Sequence, residues 1–291
     1  MIQTTLRHGD WQAEISSLGA ELQSLTYLPD DEQFLWHGDG NIWRGRAPIL
    51  FPVIGRLRNN RIRCRGQSYP LTRHGIARQS DFRRLECTTT AASFRLRDSD
   101  RSRSLYPYAF SLEVRFELHE GTLTIHYRVS NPGDDTLWFT LGSHPAFCLP
   151  LQDSVLSDYS VALPDDHEPL RYTLVNGLMP AHGTPMPVNP ITLSETLFDQ
   201  DALIFRDIRS REIILSHRRH GTRIVVDTGG APHLGIWAKP GAPYVCIEPW
   251  FGYDDPVDAS GDIETKPGML SLQPGEHWDH SLTIRATPPA G

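Results

Sequence analysis

His144 lies in Gly142-Ser-His-Pro-Ala-Phe147, where an apolar run from Leu137 to Leu141 stops and a proline follows. Proline donates no backbone hydrogen bond to a continuing ladder, so the chain bends at the histidine and the bend exposes its side chain. Glu248 lies in Tyr244-Val-Cys-Ile-Glu-Pro-Trp250, at the end of another apolar run, ahead of a second proline and close to a tryptophan. A carboxylate with such neighbours is either hydrogen-bonded or has a raised pKa, and both conditions suit a general base. Taken singly, each residue has an ordinary alternative. His144 is one of 13 histidines, any of which a strand-end carbonyl can satisfy, and Glu248 reads equally as an edge-of-sheet glutamate paired with an arginine.

The segments that must hold these two residues read as strands. Phe110, Leu112, Val114, Phe116 and Leu118 alternate with polar residues, and Leu123, Ile125, Tyr127 and Val129 repeat the pattern after His119-Glu120-Gly121. With Leu137 to Leu141 after the turn Asn131 to Asp135, this predicts an antiparallel meander leading into His144. Earlier, Trp11 to Ile15, Leu18 to Leu25 and Phe34-Leu-Trp36 read as strands; Ala47 to Gly55, broken by two prolines, reads as an irregular stretch packed under a site. His74-Gly-Ile-Ala-Arg78 falls in a loop. From Pro150 to Pro190 the pattern weakens, which predicts long excursions between strands. It resumes in runs near 202–205, 213–215, 223–226, 234–237 and 244–247, with Leu282 and Ile284 near the end.

No window of a dozen residues carries the spacing of an amphipathic helix, and no dinucleotide or phosphate loop is present. The expectation is an all-β chain, a large antiparallel β-sandwich forming a single domain over residues 1–291.

Composition sets outer limits. The net charge of −7 argues against a general nucleic-acid binder, although Arg44 to Arg78 holds nine arginines and no acidic residue. Arg61, Arg63 and Arg65 alternate with Ile62 and Cys64, so these three read as the wet face of a strand. No apolar run approaches a membrane span and the first residues lack the apolar core of a secretory signal, so no membrane partner and a cytoplasmic location are expected. Cys64, Cys87, Cys148 and Cys246 show no paired spacing and read as small buried apolar residues.

Six stretches together resemble the aldose 1-epimerase (galactose mutarotase-like) family, closest to its LacX-like branch. They are Phe34-Leu-Trp36 with Trp43, Arg46 to Arg56, His74 to Arg78, Gly142 to Phe147, Leu197 to Leu203 and Ile247 to Gly252. The resemblance implies a β-supersandwich with a sugar cleft on one sheet. Residue by residue it makes His144 the general acid and Glu248 the general base. Arg56, His74, Arg78 and Asp201 become the sugar-positioning groups.

The implied reaction interconverts the α and β anomers of an aldose by opening and reclosing the ring, with neither cofactor nor metal. The substrate expected is a small-molecule sugar or sugar phosphate. A hexose-phosphate mutarotase and a non-catalytic carbohydrate-binding or sensor protein are the alternatives. Two further readings rank low: a metal site on His217-Arg-Arg-His220 and nucleic-acid binding by the arginine stretch. Trp36, Trp43, Trp237 and Trp250 are assigned to the core. His144 and Glu248 are expected in one cleft, on opposite sides of the reacting atoms and too far apart for a direct ion pair. A bell-shaped pH profile is expected, with Glu248 setting its acid limb and His144 its alkaline limb.

Overall fold

The computed structural model describes residues 1–150 and 154–288. Its regular secondary structure is almost wholly antiparallel strand, and among the described residues the one α-helix is the single turn Asp100–Arg103. Among the described residues no helix is long and apolar enough to cross a membrane.

Two large sheets carry the architecture. The nine-stranded sheet runs, edge to edge, through Ile191–Thr192, Tyr159–Ala162, Glu212–His217, Gly221–Asp227, His277–Ala286, Thr122–Ser130, Ser111–His119, Ala91–Arg97 and Arg83–Cys87. The eight-stranded sheet runs through Thr184–Pro185, Leu170–Tyr172, Leu203–Arg206, His233–Trp237, Tyr244–Phe251, Leu141–Ser143 and Ile49–Leu50; Ala146–Cys148 also pairs with Tyr244–Phe251. Gln3–His8, Trp11–Ser16, Glu21–Tyr27 and Glu32–Gln33 form a smaller sheet.

Alternation does what period-two patterning requires. In Ser111–His119 the residues Leu112, Val114, Phe116 and Leu118 are buried and their neighbours are partly exposed. The two large sheets meet through such inward faces: Phe251 packs edge-on against Trp278 at 4.9 Å and His280 at 4.6 Å, and the Tyr127 hydroxyl lies 2.7 Å from the Ser143 hydroxyl. The result is a sandwich with an extensive apolar core and a smaller buried apolar cluster that includes Trp250.

Several expectations need correction. Thr122–Ser130 pairs with Ser111–His119 as expected, but its other neighbour is the distant strand His277–Ala286, so the meander ends there instead of continuing into Leu137–Leu141; it begins earlier, with Arg83–Cys87 and Ala91–Arg97. Leu137 to Leu141 is not one strand. Leu137–Phe139 joins Leu270–Leu272, the chain steps over at Thr140, whose N–H donates to Pro52 O, and Leu141–Ser143 enters the eight-stranded sheet. Local alternation cannot tell which partner a strand takes.

The 150–190 region contains strands of both large sheets, short enough to escape a periodicity search; residues 151–153 lie outside the described residues. Phe34 to Trp36 is buried but makes only an isolated bridge, Leu35 to Phe147. Cys64 and Cys246 are buried as expected, whereas Cys87 is exposed and Cys148 half-buried; all four are free. Arg61 and Arg63 do face solvent while Ile62 and Cys64 are buried, and exposed Arg65 sits at the turn with φ +50°.

Candidate active site

The site forms at a gap in the eight-stranded sheet. Tyr244–Phe251 runs unbroken through Glu248 and Pro249, so Glu248 stands mid-strand and not at a strand end. Its neighbour on one side is interrupted: Ala146–Cys148 pairs with the first half, Leu141–Ser143 with the second, and His144-Pro145 fills the interval. Ile247 N–H donates to Pro145 O. By strand alternation residue 249 would aim its N–H to the same side, where the ladder is already broken, so proline is tolerated there. Tyr244, Cys246, Glu248 and Trp250 share one face of this strand by the same alternation.

Trp250 is held where both adjoining strands carry glycine. A Cβ on Gly142 would come within 2.7 Å of the indole, and one on Gly235 within 2.6 Å. Gly235 is also the register partner of Glu248, so the close packing acts directly at the acidic residue.

His144 is fixed by its N–H, which donates to Pro48 O, and by rings around its imidazole. Trp43 stacks on it at 5.1 Å, Trp237 meets it edge-on at 5.9 Å, and His74 meets it edge-on at 5.8 Å. His144 Nε2 lies 3.1 Å from Glu248 Oε2. This overturns the expected separation: both side chains are nearly removed from solvent, and they touch. Trp43 and Trp237, assigned to the core from sequence, are half-buried and pack on the imidazole; Trp36 and Trp250 are core residues as expected.

Burial dominates the electrostatics. It pushes Glu248 well above the usual carboxylate range, opposed first by the Arg73 charge and reinforced by Asp201 and Asp254. It pulls His144 down to about 3, a direction its own backbone hydrogen bond opposes and the Arg73 and Arg78 charges reinforce. Both shifts favour the uncharged pair, a protonated Glu248 beside a neutral His144; the 3.1 Å contact is not aligned as a hydrogen bond and leaves Glu248 Oε2 without a partner. The expected division of the pH profile is thereby reversed.

Around this pair stand groups of known position. His74, at φ +66°, accepts through Nδ1 from Gly55 N–H at 3.2 Å, which fixes the tautomer with its proton on Nε2. Burial, then the Arg73, His144 and Arg78 charges, hold its pKa well below normal. Arg78 occupies the short turn Ala77–Gln79, where burial and the Arg73 charge lower its pKa. Asp201, at φ +75°, accepts from Ala202 N–H at 2.9 Å and lies 3.9 Å from the Arg73 guanidinium.

Arg56 stands apart from the rest. Its N–H donates to Asp254 Oδ1 at 2.6 Å and its guanidinium to Asn176 O at 3.0 Å, and among the described residues it shares no hydrogen bond or ion pair with His144 or Glu248. The structure therefore gathers His144, Glu248, His74, Arg78 and Asp201 into one electrostatic neighbourhood and places Arg56 on its border.

Two members were missed. Arg73 shifts His74, Arg78, His144, Glu248 and Asp254 together. Asp254 is buried, with Oδ2 lacking a hydrogen-bond partner, and it packs on Gly55, where φ is +70° and a Cβ would collide with the carboxylate. Position next to His74 was the available signal for Arg73; Asp254 had none beyond following the Glu248 strand.

Metal-type donors converge twice among the described residues: His144, Cys246 and Glu248 in the buried pair's own pocket, and His8, His119 and Glu120 at the surface, each set within 4.8 Å. Burial pushes the Cys246 thiol well above its usual range, the protonated state that a metal would have to displace. His217 and His220 stack at a hairpin end between Glu212–His217 and Gly221–Asp227, not on a helix.

The aldose 1-epimerase family model matches residues 3–285. Protein LacX of Lactococcus lactis subsp. lactis, in plasmid and chromosomal forms, is 28% identical over 274 residues, covering 90% of this chain and 91% of the relative. A galactose mutarotase related enzyme from Lactobacillus acidophilus is 33% identical and superposes with a TM-score of 0.95 over 99% of this chain and 98% of its own. A galactose mutarotase-like protein from Lactobacillus casei gives 28% and 0.90, covering 98% and 100%. With the match spanning nearly every strand that builds the site, the chain belongs to the aldose 1-epimerase family.

Proposed function

We propose that the protein is an aldose mutarotase, and the observation that carries this reading is the buried contact of 3.1 Å between His144 Nε2 and Glu248 Oε2. Opening a pyranose needs one proton delivered to the ring oxygen as the C1–O bond breaks and one removed from the C1 hydroxyl. Rotation about C1–C2 and reclosure, with the protons returned, gives the other anomer. A pair that holds a single proton in a dry pocket has the required inventory. When sugar hydroxyls replace the direct contact, passing that proton to His144 gives an imidazolium acid and a carboxylate base. His74 Nε2–H, Arg73, Arg78 and Asp201 then position the ring hydroxyls, and Trp43 and Trp237 offer their faces to its apolar side. Because ring opening also occurs in water, this level of assistance suffices.

The test is anomer exchange followed by NMR on a panel of free and phosphorylated aldoses. Exchange above the buffer rate for at least one sugar is expected; tight binding without exchange would favour a sugar-binding protein.

A second reading, a hexose-phosphate mutarotase, is favoured by the proximity of Arg73 and Arg78, whose mutual repulsion an anion would relieve. Replacing Arg78 with Ala distinguishes the two readings. Loss of at least about tenfold more kcat/KM on a sugar phosphate than on the matching free sugar supports the phosphate, since a charge-assisted contact disappears. Equal losses support the neutral sugar.

A further inference from the structure

The nine-stranded sheet ends in an edge whose charges are unbalanced. Arg83, on the edge strand, is the register partner of Arg95, and Arg97 follows on the same face of the next strand. Like charges directly opposite across a ladder destabilise it. Arg95 is relieved on its other side by Glu113 at 3.3 Å, although that ion pair leaves Arg95 Nε without a hydrogen bond. Among the described residues Arg83, Arg97 and Arg101 form no ion pair.

All four guanidinium-bearing residues line one cavity of about 830 Å³. Its single carboxylate is Asp81, which already accepts the Ser17 hydroxyl at 2.6 Å. In a chain of net charge −7, this local excess of positive charge does not follow from composition. The lining also includes apolar residues, among them Ile76 and Leu105, and the volume falls in the range of small-molecule sites.

We propose that this cavity binds a phosphate-bearing small molecule, its phosphate oxygens held by Arg83, Arg97 and Arg101 and its organic body against the apolar lining residues. Guanidinium forks match phosphate geometry, and a bound phosphate supplies the counter-charge that the Arg83–Arg95 pairing lacks. The site is separate from the His144–Glu248 pair but shares a wall with it in sequence: Gly75, Ile76 and Gln79 belong to the loop that carries His74 and Arg78.

Isothermal titration calorimetry on the full chain, with a hexose 6-phosphate and a nucleoside triphosphate as separate probes, tests the assignment without reference to sugar exchange. At least one probe should bind, and the tighter one identifies the source of the phosphate. Affinity should fall at least about tenfold in the Arg83→Gln/Arg97→Gln double variant and stay unchanged in Arg7→Gln, which removes an exposed positive charge away from the cavity. Failure of both probes to bind overturns the proposal, as does binding that survives in the double variant, which would place the phosphate elsewhere, or an equal fall in Arg7→Gln, which would mean diffuse charge attraction only. The double variant should unfold at the same or a higher temperature than the parent at low salt, because repulsion is relieved; a lower Tm would contradict the charge imbalance.

Discussion

At the scale of single residues, burial decides the chemistry. The Glu248 carboxyl is raised and the His144 imidazole lowered by the same desolvation, so the pair rests as a neutral acid beside a neutral base and not as a salt bridge. The sign for activity follows. As pH falls through about 3, His144 takes up a second proton, the pair loses its base and exchange declines. As pH rises through the elevated carboxyl pKa, the carboxyl proton leaves, the pair loses its acid and exchange declines again. A pH profile of kcat/KM is therefore expected to show no acid limb at the ordinary histidine pKa of 6.5, with both limbs belonging to the pair. An acid limb centred near that value would contradict the neutral pair.

Stability carries a matching signature at Glu248. Its raised folded pKa means the folded state binds this proton more tightly than the unfolded chain, so the contribution is present at low pH and lost as pH rises through the folded value. Glu248→Gln removes the dependence. Its stability relative to the parent, read from urea unfolding, should improve steadily toward alkaline pH; a difference independent of pH would show that Glu248 is not buried as a neutral acid.

At the scale of elements, the site depends on how closely three strands approach. Gly142 and Gly235 flank the Trp250 indole from either side, two residues along from Glu248. Gly235→Ala should cost roughly 1–3 kcal/mol in urea unfolding, because the added methyl forces the indole or the strand to shift. Exchange should fall along with it, since Glu248 lies directly opposite. A neutral result would mean that the neighbouring strands yield easily.

The sequence already showed much of this level. The alternation from Phe110 to Leu118 located its strand to within a residue, and the proline after His144 marked the bend that opens the ladder. Other features depended on long-range partners. Nothing near Leu137 reveals that its strand pairs with Leu270–Leu272, and nothing near Glu248 reveals that its strand continues through Pro249, because the tolerance comes from a gap in another segment. His144 and Glu248 were legible as candidates from local bends and apolar flanks. Their direct contact, and the arrival of Arg73, Asp254, Trp43 and Trp237 beside them, arises only when distant turns converge.

At the scale of the molecule, the sandwich supports the site from behind. The Tyr127 and Ser143 hydroxyls bridge the two large sheets at 2.7 Å, and Ser143 immediately precedes His144. Tyr127→Phe leaves the buried Ser143 hydroxyl without that partner and should cost about 1–3 kcal/mol of stability by urea unfolding. A loss well below that would show that the core accommodates the serine by another contact.

The central claim is that His144 and Glu248 act as one proton-transfer unit on a sugar. The most direct measurement is the anomer-exchange rate by NMR for His144→Asn, Glu248→Gln and the double variant, alongside sugar affinity for each. Each single variant should bind sugar nearly as well as the parent while exchange falls on the order of a hundredfold or more, and the double variant should be little worse than either single one. Near-parental exchange in either single variant, with sugar still bound, would contradict the account.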